Sequence, residues 1–174
     1  MKGVIFDCLT QLIKEKYGEE KWTEILLGAG FTRFTVFLPY ADVPEEYFGR
    51  IFSSVQNSLK KSEIEVSDLF ADYWMTVYAP RTYPSFFKDK KGAKEFLLMM
   101  DSVHRKVTED IPYSKPPHFE YQITDENTIQ MYYYSSRHLM ILFESLVKAT
   151  AKYFNEQIEI EKLGDTCLVL KFSK

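Results

Sequence analysis

The stretch Tyr-Tyr-Tyr-Ser-Ser-Arg-His, residues 132–138, joins a segment of alternating apolar residues to a segment with helical spacing. Helix capping explains one of its serines. It does not explain the whole set, because three tyrosines, two serines and an arginine supply more hydrogen-bond donors than a strand-to-helix junction needs. Alternate side chains of a strand lie about 6.6 Å apart on one side. We therefore expect Tyr133, Ser135 and Arg137 to project together, with Arg137 where the helix begins.

Two hairpins and one helix are predicted around this stretch. Apolar residues alternate over residues 119–133, with a turn at 125–127, and alternate again over about 158–172. Between the hairpins, apolar residues recur at helical spacing from about Ser136 to Asn155. This order of elements predicts a four-stranded antiparallel sheet joined to a helix.

The preceding part of the chain is predicted to be mostly helical. Apolar spacing and helix-ending residues predict helices over about 4–17, 19–27, 44–61, 67–78 and 92–110. Pro112, Pro116 and Pro117 then predict an extended connection. The fold class is therefore α+β, with a mostly helical N-terminal part and a C-terminal four-stranded antiparallel sheet and helix.

Length and composition are those of one globular domain. The 174 residues lead us to expect a single domain over 1–174, with subdomains at about 1–65 and about 66–174. The net charge of -3 argues against nucleic acid, because a phosphate-binding surface needs clustered Lys and Arg. The two cysteines have no CxxC spacing, and no apolar run reaches membrane-spanning length. We expect a cytoplasmic protein that binds neither nucleic acid nor membrane.

Aromatic residues make up 16% of the chain, which is a high share. Two interpretations are open: a large aromatic core, or a cavity lined for a flat apolar ligand. Composition alone favours the aromatic core, since aromatic side chains mostly pack with each other.

His104 differs from the other two histidines because it lies on the apolar stripe of its helix, between Met100 and Val107. An imidazole in that position needs a partner. A core histidine bonded to a carbonyl or a Tyr is the commoner case, and a metal ligand is the alternative. No HxxxH, HExxH or Cys/His cluster is present, so zinc has no evident site. A single His suffices where a cofactor supplies four equatorial bonds, as haem does.

The Tyr133, Ser135 and Arg137 set also has two explanations, one that involves haem and one that does not. Two hydroxyls and a guanidinium suit a pair of carboxylates, and haem carries two propionates on one edge. The alternative is a serine N-cap beside a surface arginine. Without His104, the alternative would be preferred.

Together these segments resemble a known family. Leu97-Leu-Met-Met-Asp-Ser-Val-His104, then Pro116-Pro117, then Tyr133-x-Ser135-x-Arg137 resemble the haem nitric oxide/oxygen binding (H-NOX) domain, which is related to the haem domain of soluble guanylate cyclase. The resemblance covers nearly the whole chain, from Met1-Lys-Gly3 onward, and is that of a bacterial stand-alone member.

The resemblance implies a role for each matching residue. His104 would be the proximal ligand of the iron in haem b (iron protoporphyrin IX). Tyr133, Ser135 and Arg137 would hold the propionates, and Pro117 would press on the porphyrin. Apolar contacts to the macrocycle would come from Ile5 and Leu146, and Glu45 would pair with Arg137. The helical subdomain would be distal to the haem and the sheet subdomain proximal.

The distal side departs from the oxygen-binding members that this chain resembles. Those members carry a tyrosine that donates a hydrogen bond to bound oxygen, whereas this chain has Leu142. The supporting polar positions correspond to Leu9 and Met75. The resemblance therefore implies binding of NO and CO and exclusion of O2. Whether Tyr78 or Tyr40 reaches the pocket from another segment stays open.

The resemblance also implies a mechanism and a partner. NO binding would weaken the iron bond to His104 and release its helix. We expect a separate signalling protein, such as a histidine kinase or a cyclic-di-GMP enzyme, to respond to that release. A haem-free interaction module with a self-filled aromatic core is the alternative. An enzyme that uses Asp101 or Glu109 with His104 ranks last, because these acids are expected to project away from the His104 face, and we expect no enzymatic activity.

Overall fold

A computed structural model describes residues 1–109 and 115–173. The helices are α1 (Gly3–Tyr17), α2 (Glu19–Gly28), α3 (Glu45–Leu59), α4 (Glu63–Tyr73), α5 (Ala79–Thr82), α6 (Pro84–Phe87), α7 (Ala93–Leu98), α8 (Met100–Thr108) and α9 (Met140–Tyr153), with a π-helix at Trp74–Tyr78. The strands are β1 (His118–Ile123), β2 (Thr128–Tyr134), β3 (Gln157–Leu163) and β4 (Cys167–Ser173). The helix end expected near Asp110, and Pro112, lie outside the described residues.

The first compact unit, Met1–Trp74, is built from α1 to α4. Helix α1 packs on α2 and α4, and α3 packs on the same two helices. The buried apolar side chains of these helices include Phe6, Leu9, Leu12, Ile13, Trp22, Ile25, Leu26, Phe48, Ile51, Val55, Val66 and Phe70. Ser54 is also buried, and its hydroxyl donates to the carbonyl of Ile25 at 2.8 Å, so this polar group is satisfied inside the unit.

Helix α4 begins earlier than the predicted start at residue 67. Ser62 caps the helix by accepting from the N–H of Glu65, and the Glu65 carboxylate accepts from the N–H of Ser62. This capping box satisfies two backbone donors at the helix start. The sequence predicted that Pro80 would break the helix that ends near Tyr78, but Pro80 occupies the first turn of α5, where its missing N–H is not needed.

The second compact unit, Met75–Lys174, contains the sheet. Its strand order is β1-β2-β4-β3, and every neighbouring pair is antiparallel. One face of the sheet and helix α9 share a core that contains Phe119, Ile129, Met131, Tyr133, Phe143, Val147, Leu168, Leu170 and Phe172. The predicted α+β class with a four-stranded antiparallel sheet is thus confirmed.

The helix predicted over 92–110 is two helices in the structure. Met99 has φ -95° and ψ -2°, so α7 ends before it and α8 begins after it. No Gly or Pro marks this break, and apolar spacing continues across it. The consequence is that His104 lies on a short separate helix of nine residues.

Helix α9 also differs from its predicted start near Ser136. Strand β2 ends at Tyr134, and the Ser135 hydroxyl accepts from the N–H of Arg137 at 3.2 Å. The N–H of His138 then reaches the carbonyl of Ser135 at 3.3 Å, which closes a turn. Ser135 therefore stabilises a turn and does not cap a helix, and the strand-like alternation ends before Arg137.

The boundary between the two compact units lies at Trp74 and Met75, within the π-helix, whereas the sequence suggested a division near residue 65. Assignment of the units as distal and proximal stays a prediction. No helix in the described ranges 1–109 and 115–173 is long and apolar enough to span a bilayer.

Gly3 is predicted to be essential for packing in the first unit. A Cβ at this position would overlap the carbonyl oxygen of Leu38, and the N–H of Gly3 donates to Ala41 at 2.8 Å. Because backbone would have to move, Gly3→Ala should lower the free energy of unfolding by about 1–3 kcal/mol. Urea denaturation measures the change.

Gly49 in the middle of α3 provides the matched control, since a Cβ there would meet nothing within 4 Å. Gly49→Ala should raise the free energy of unfolding by about 0.5–1 kcal/mol, because alanine favours a helix interior. Equal effects of the two substitutions would contradict the role assigned to the Leu38 carbonyl.

Candidate functional site

His104 is a partly buried side chain on α8, and one of its nitrogens is already occupied. Its Nδ1 lies 2.8 Å from the carbonyl oxygen of Met100, one turn earlier on the chain. A carbonyl can only accept, so Nδ1 carries the proton in the neutral ring. Burial lowers the pKa of His104, and this outweighs the opposing effects of the Met100 hydrogen bond and the Asp101 charge. Burial therefore favours the neutral form of the ring.

The second nitrogen of His104, Nε2, keeps its lone pair. Across residues 1–109 and 115–173 it makes no hydrogen bond. The same residues contain no group of three or more His, Cys, Asp or Glu side chains that could hold a metal ion. A metal at Nε2 would thus take its other ligands from a cofactor, as iron in haem does.

Tyr133 faces inward from β2 and is part of the core, with 8% of its surface exposed. Its ring stacks on Phe143, with centroids 5.1 Å apart, and also contacts Phe119 at 5.6 Å. The ring of His104 also contacts Phe119, with the two ring centroids 5.3 Å apart. Phe119 therefore bridges the imidazole and the motif tyrosine, which places both in one cluster of rings.

Arg137 and Ser135 lie in the turn after β2. Nη1 of Arg137 donates to the carbonyl of Lys115 at 2.9 Å, so the guanidinium lies beside the segment that contains Pro117. Ser135 uses its hydroxyl within the turn, as an acceptor for the Arg137 N–H. The structure thus brings the arginine and the proline segment together, although Arg137 lies outside the strand.

Helix α9 has two apolar faces. Phe143 and Val147 point into the core between helix and sheet. Leu142 and Leu146, one residue earlier in each case, lie outside that core and remain partly exposed. Two leucines one turn apart form an apolar surface that a flat ligand can cover.

The remaining predicted residues lie on α1, on the π-helix and on α3. Met75 is buried in the π-helix, Leu9 is buried in α1, and Ile5 on α1 is partly buried. Glu45 is exposed in the first turn of α3, and its pairing with Arg137 stays a prediction.

The two tyrosines considered for the distal pocket differ in burial. Tyr78 is 2% exposed, with the Arg81 guanidinium 5.8 Å from its ring centre, whereas Tyr40 is 81% exposed.

Asp101 is the residue that the sequence interpretation placed wrongly. The aspartate was expected to point away, yet it is buried, and its Oδ1 accepts from the N–H of Phe119 at 3.0 Å and from Nδ1 of His118 at 2.7 Å. Its Oδ2 accepts from Arg105 at 2.8 Å. Burial would raise the pKa of Asp101, but these hydrogen bonds and nearby positive charges lower it overall. His118 is exposed at the surface and is one partner of this carboxylate.

The residues of the second unit fit a haem. Nε2 of His104 can bind iron, and the Arg137 guanidinium and Tyr133 hydroxyl are groups that bind carboxylates. In the described part of the chain, the Tyr133 hydroxyl makes no hydrogen bond, so it is available to a propionate. The apolar face of α9 suits the macrocycle.

Comparison with known sequences identifies similar proteins. A family profile described as Haem-NO-binding matches residues 2–162. The soluble guanylate cyclases gcy-32 and gcy-34 of Caenorhabditis elegans are each 24% identical to this chain. The alignments cover 87% and 95% of this chain but 23% and 25% of those proteins. The chain thus spans about a quarter of the length of the curated relatives it matches.

Solved structures share the fold over the whole chain. An oxygen binding H-NOX domain related to soluble guanylate cyclases, solved as its oxygen complex, matches with a TM-score of 0.86 and 25% identity, covering 100% of this chain and 96% of that chain. The I5F mutant of the T. tengcongensis H-NOX matches with a TM-score of 0.84 and 25% identity, covering 100% of this chain and 98% of its own.

Replacement of Tyr133 should separate the role of its ring from that of its hydroxyl. Tyr133→Phe keeps the stacking on Phe143, so the free energy of unfolding of the haem-free protein should change by less than about 1 kcal/mol. Tyr133→Ala leaves a cavity and should cost about 3–5 kcal/mol. With haem bound, Tyr133→Phe should release haem about tenfold faster, because one charge-assisted hydrogen bond is lost.

Urea denaturation and haem transfer to a haem-scavenging protein measure the two effects. A Tyr133→Phe variant as unstable as Tyr133→Ala, or one that retains haem like the parent, would contradict this division of roles.

Proposed function

This chain belongs to the haem-NO-binding (H-NOX) family and is a haem-based gas-sensing domain, and from this premise we propose that it binds NO and CO, excludes O2 and signals to a separate protein. The haem would supply a ferrous iron that binds a diatomic gas. His104 would hold the iron through Nε2. The neutral imidazole with an unused Nε2 is the observation that carries the proposal.

The choice of gas would depend on the apolar distal residues. Bound oxygen carries partial negative charge and is stabilised by a buried hydrogen-bond donor, whereas NO binds ferrous haem strongly without one. Leu142, Leu9 and Met75 offer no side-chain donor. The solved relative described as oxygen binding therefore supports the fold of this chain, whereas the proposed choice of gas rests on these three residues.

The response to NO would be release of His104. Helix α8 has nine residues and is separated from α7 at Met99. A helix of that length is marginal in isolation, so it depends on its attachments. We propose that NO binding would release His104, and that α8 would then shift while Arg137 and Pro117 would remain with the sheet. A partner that contacts α8 differently in the two states would detect that shift.

Several finer points are part of the same proposal. The cofactor would be haem b, the protein would be cytoplasmic and bacterial, and it would have no enzymatic activity of its own. The separate signalling protein would be a histidine kinase or a cyclic-di-GMP enzyme.

The second candidate function is a haem-free interaction module. The stacked rings of Phe119, Tyr133 and Phe143 favour it, because they fill part of the interior without a ligand.

Absorption spectra of the purified protein test the gas-sensor proposal. Supplied with haem and reduced, it should show a Soret band that shifts with NO and with CO and is unchanged by brief exposure to air. His104→Gly should remove the proximal ligand, so that the ferrous spectrum changes and added imidazole restores it. His138→Gly, at an exposed histidine with positive φ, is the control and should leave the ferrous spectrum unchanged. No Soret band after haem is supplied would favour the haem-free module.

Replacement of Leu142 tests the basis of gas selectivity. Leu142→Tyr should add a hydroxyl donor and produce an oxygen complex that is at least transient, whereas Leu142→Phe adds the ring alone and should not. Stopped-flow absorbance after mixing the reduced proteins with oxygenated buffer measures this. An oxygen complex in the Phe variant, or in the parent chain, would refute the distal argument.

A further inference from the structure

A group of apolar side chains lies exposed in the first compact unit, between α2 and α3. Phe34 and Tyr40 are each 81% exposed, Val36 is 75% exposed and Leu38 is 46% exposed. We call these four residues the 34–40 surface. Single exposed apolar side chains are common on proteins, but a group of large ones this close in sequence indicates a contact surface. The proposed gas-binding site uses none of the four.

The segment that carries the 34–40 surface is held firmly by the interior of the unit. Phe37 alternates with the exposed residues, is buried, and stacks on Phe6 with ring centroids 4.7 Å apart. Phe31 contacts the Phe37 ring at 5.7 Å. At the other end, the Ala41 carbonyl accepts from the N–H of Gly3 at 2.8 Å. A fixed backbone thus presents the exposed side chains, which lowers the entropy that is lost when a partner binds.

The charges around the 34–40 surface suit a second copy of the same chain. Residues 34–41 contain no charged side chain, so two copies would not repel each other there. Arg33 precedes this stretch and Asp42 follows it, and both are exposed. Two copies laid antiparallel would place Arg33 of each chain near Asp42 of the other. The surface is therefore complementary to itself, as a two-fold contact requires.

We propose that two copies of this chain associate face to face and antiparallel through the 34–40 surface. Phe34 of one copy would lie near Tyr40 of the other, and Val36 near Leu38. The exposed parts of the four side chains amount to roughly 500 Å² per copy, so two copies would bury about 1,000 Å², near the lower limit for a specific contact. The dimer is thus weak and depends on concentration. It needs no haem, so it can be tested separately from gas binding.

Sedimentation of the purified chain, from micromolar to near-millimolar concentration, is the first measurement. The weight-average mass should rise from that of one chain toward twice that value. Because a two-fold contact is complete with two copies, the rise should stop there. A mass that stays at one chain, or one that keeps rising past two chains, would overturn the proposal.

Val36→Lys tests whether this surface forms the contact. The substitution places ammonium groups in an apolar contact and should raise the dissociation constant of the dimer at least about tenfold. Val36 is largely exposed, so the single chain should keep its fold, which circular dichroism checks.

Ile64→Lys is the matched control. Ile64 is an apolar residue that is 55% exposed on α4 in the same unit, and the substitution adds the same charge. It should change the dissociation constant by less than about twofold, because a distant exposed charge is screened. A dimer that survives Val36→Lys, or equal losses in the two variants, would overturn the proposal.

Mixing two charge-reversal variants tests the antiparallel arrangement. Arg33→Asp alone and Asp42→Arg alone would each place like charges at both ends of the contact, so each should dimerise about threefold or more weakly than the parent. In an equimolar mixture, the mixed dimer regains opposite charges at both ends. Its dissociation constant should return to within about twofold of the parent value. No gain in the mixture over the separate variants would overturn the proposal.

Vesicles of phosphatidylcholine and phosphatidylserine test a different occupant of the same surface. The chain should remain in solution when the vesicles are pelleted. A chain that is monomeric in solution, pellets with the vesicles and loses this binding in Val36→Lys would overturn the dimer and assign the 34–40 surface to a membrane.

Discussion

The hydrogen bond from Nδ1 of His104 to the Met100 carbonyl is the contact on which the site depends. It selects the tautomer in which Nε2 keeps its lone pair, and burial keeps the ring neutral. Because donor and acceptor lie one turn apart on the same chain segment, the bond also ties the direction of the ring to α8. A displacement of the imidazole is therefore a displacement of the helix.

Because α8 is short, its position depends on its contacts with neighbouring elements. A nine-residue helix cut off from α7 at Met99 is held mainly by what it packs against. Its neighbour is β1. The ring of Phe119 contacts the imidazole, and the N–H of Phe119 donates to the Asp101 carboxylate. His104, the proposed proximal ligand, thus lies on an element that depends on a few identifiable contacts, which is the condition for one lost bond to alter its position.

The sequence predicted the features that depend on local periodicity and missed those that depend on distant contacts. Both hairpins follow from alternation, and the position of His104 on an apolar stripe follows from helical spacing. The break at Met99 has no Gly or Pro to reveal it. The helix was expected to begin near Ser136, whereas the Ser135 hydroxyl accepts from the N–H of Arg137 in a turn and the helix begins at Met140. Asp101 was misplaced because its partner Phe119 lies far along the chain.

The two helices that carry site residues in the second unit differ in how firmly they are held. Helix α9 buries Phe143 and Val147 in the core of the sheet, so the positions of Leu142 and Leu146 on its other face are set by packing. Helix α8 is instead held by the hydrogen bonds of Asp101, by the ring contact of His104 with Phe119 and by Met100, which packs on the edge of the core. A ligand changes a conformational equilibrium only through contacts that differ between the two states. If a macrocycle lies on the firmly packed α9, a difference between two ligand states is therefore expected in α8 more than in α9.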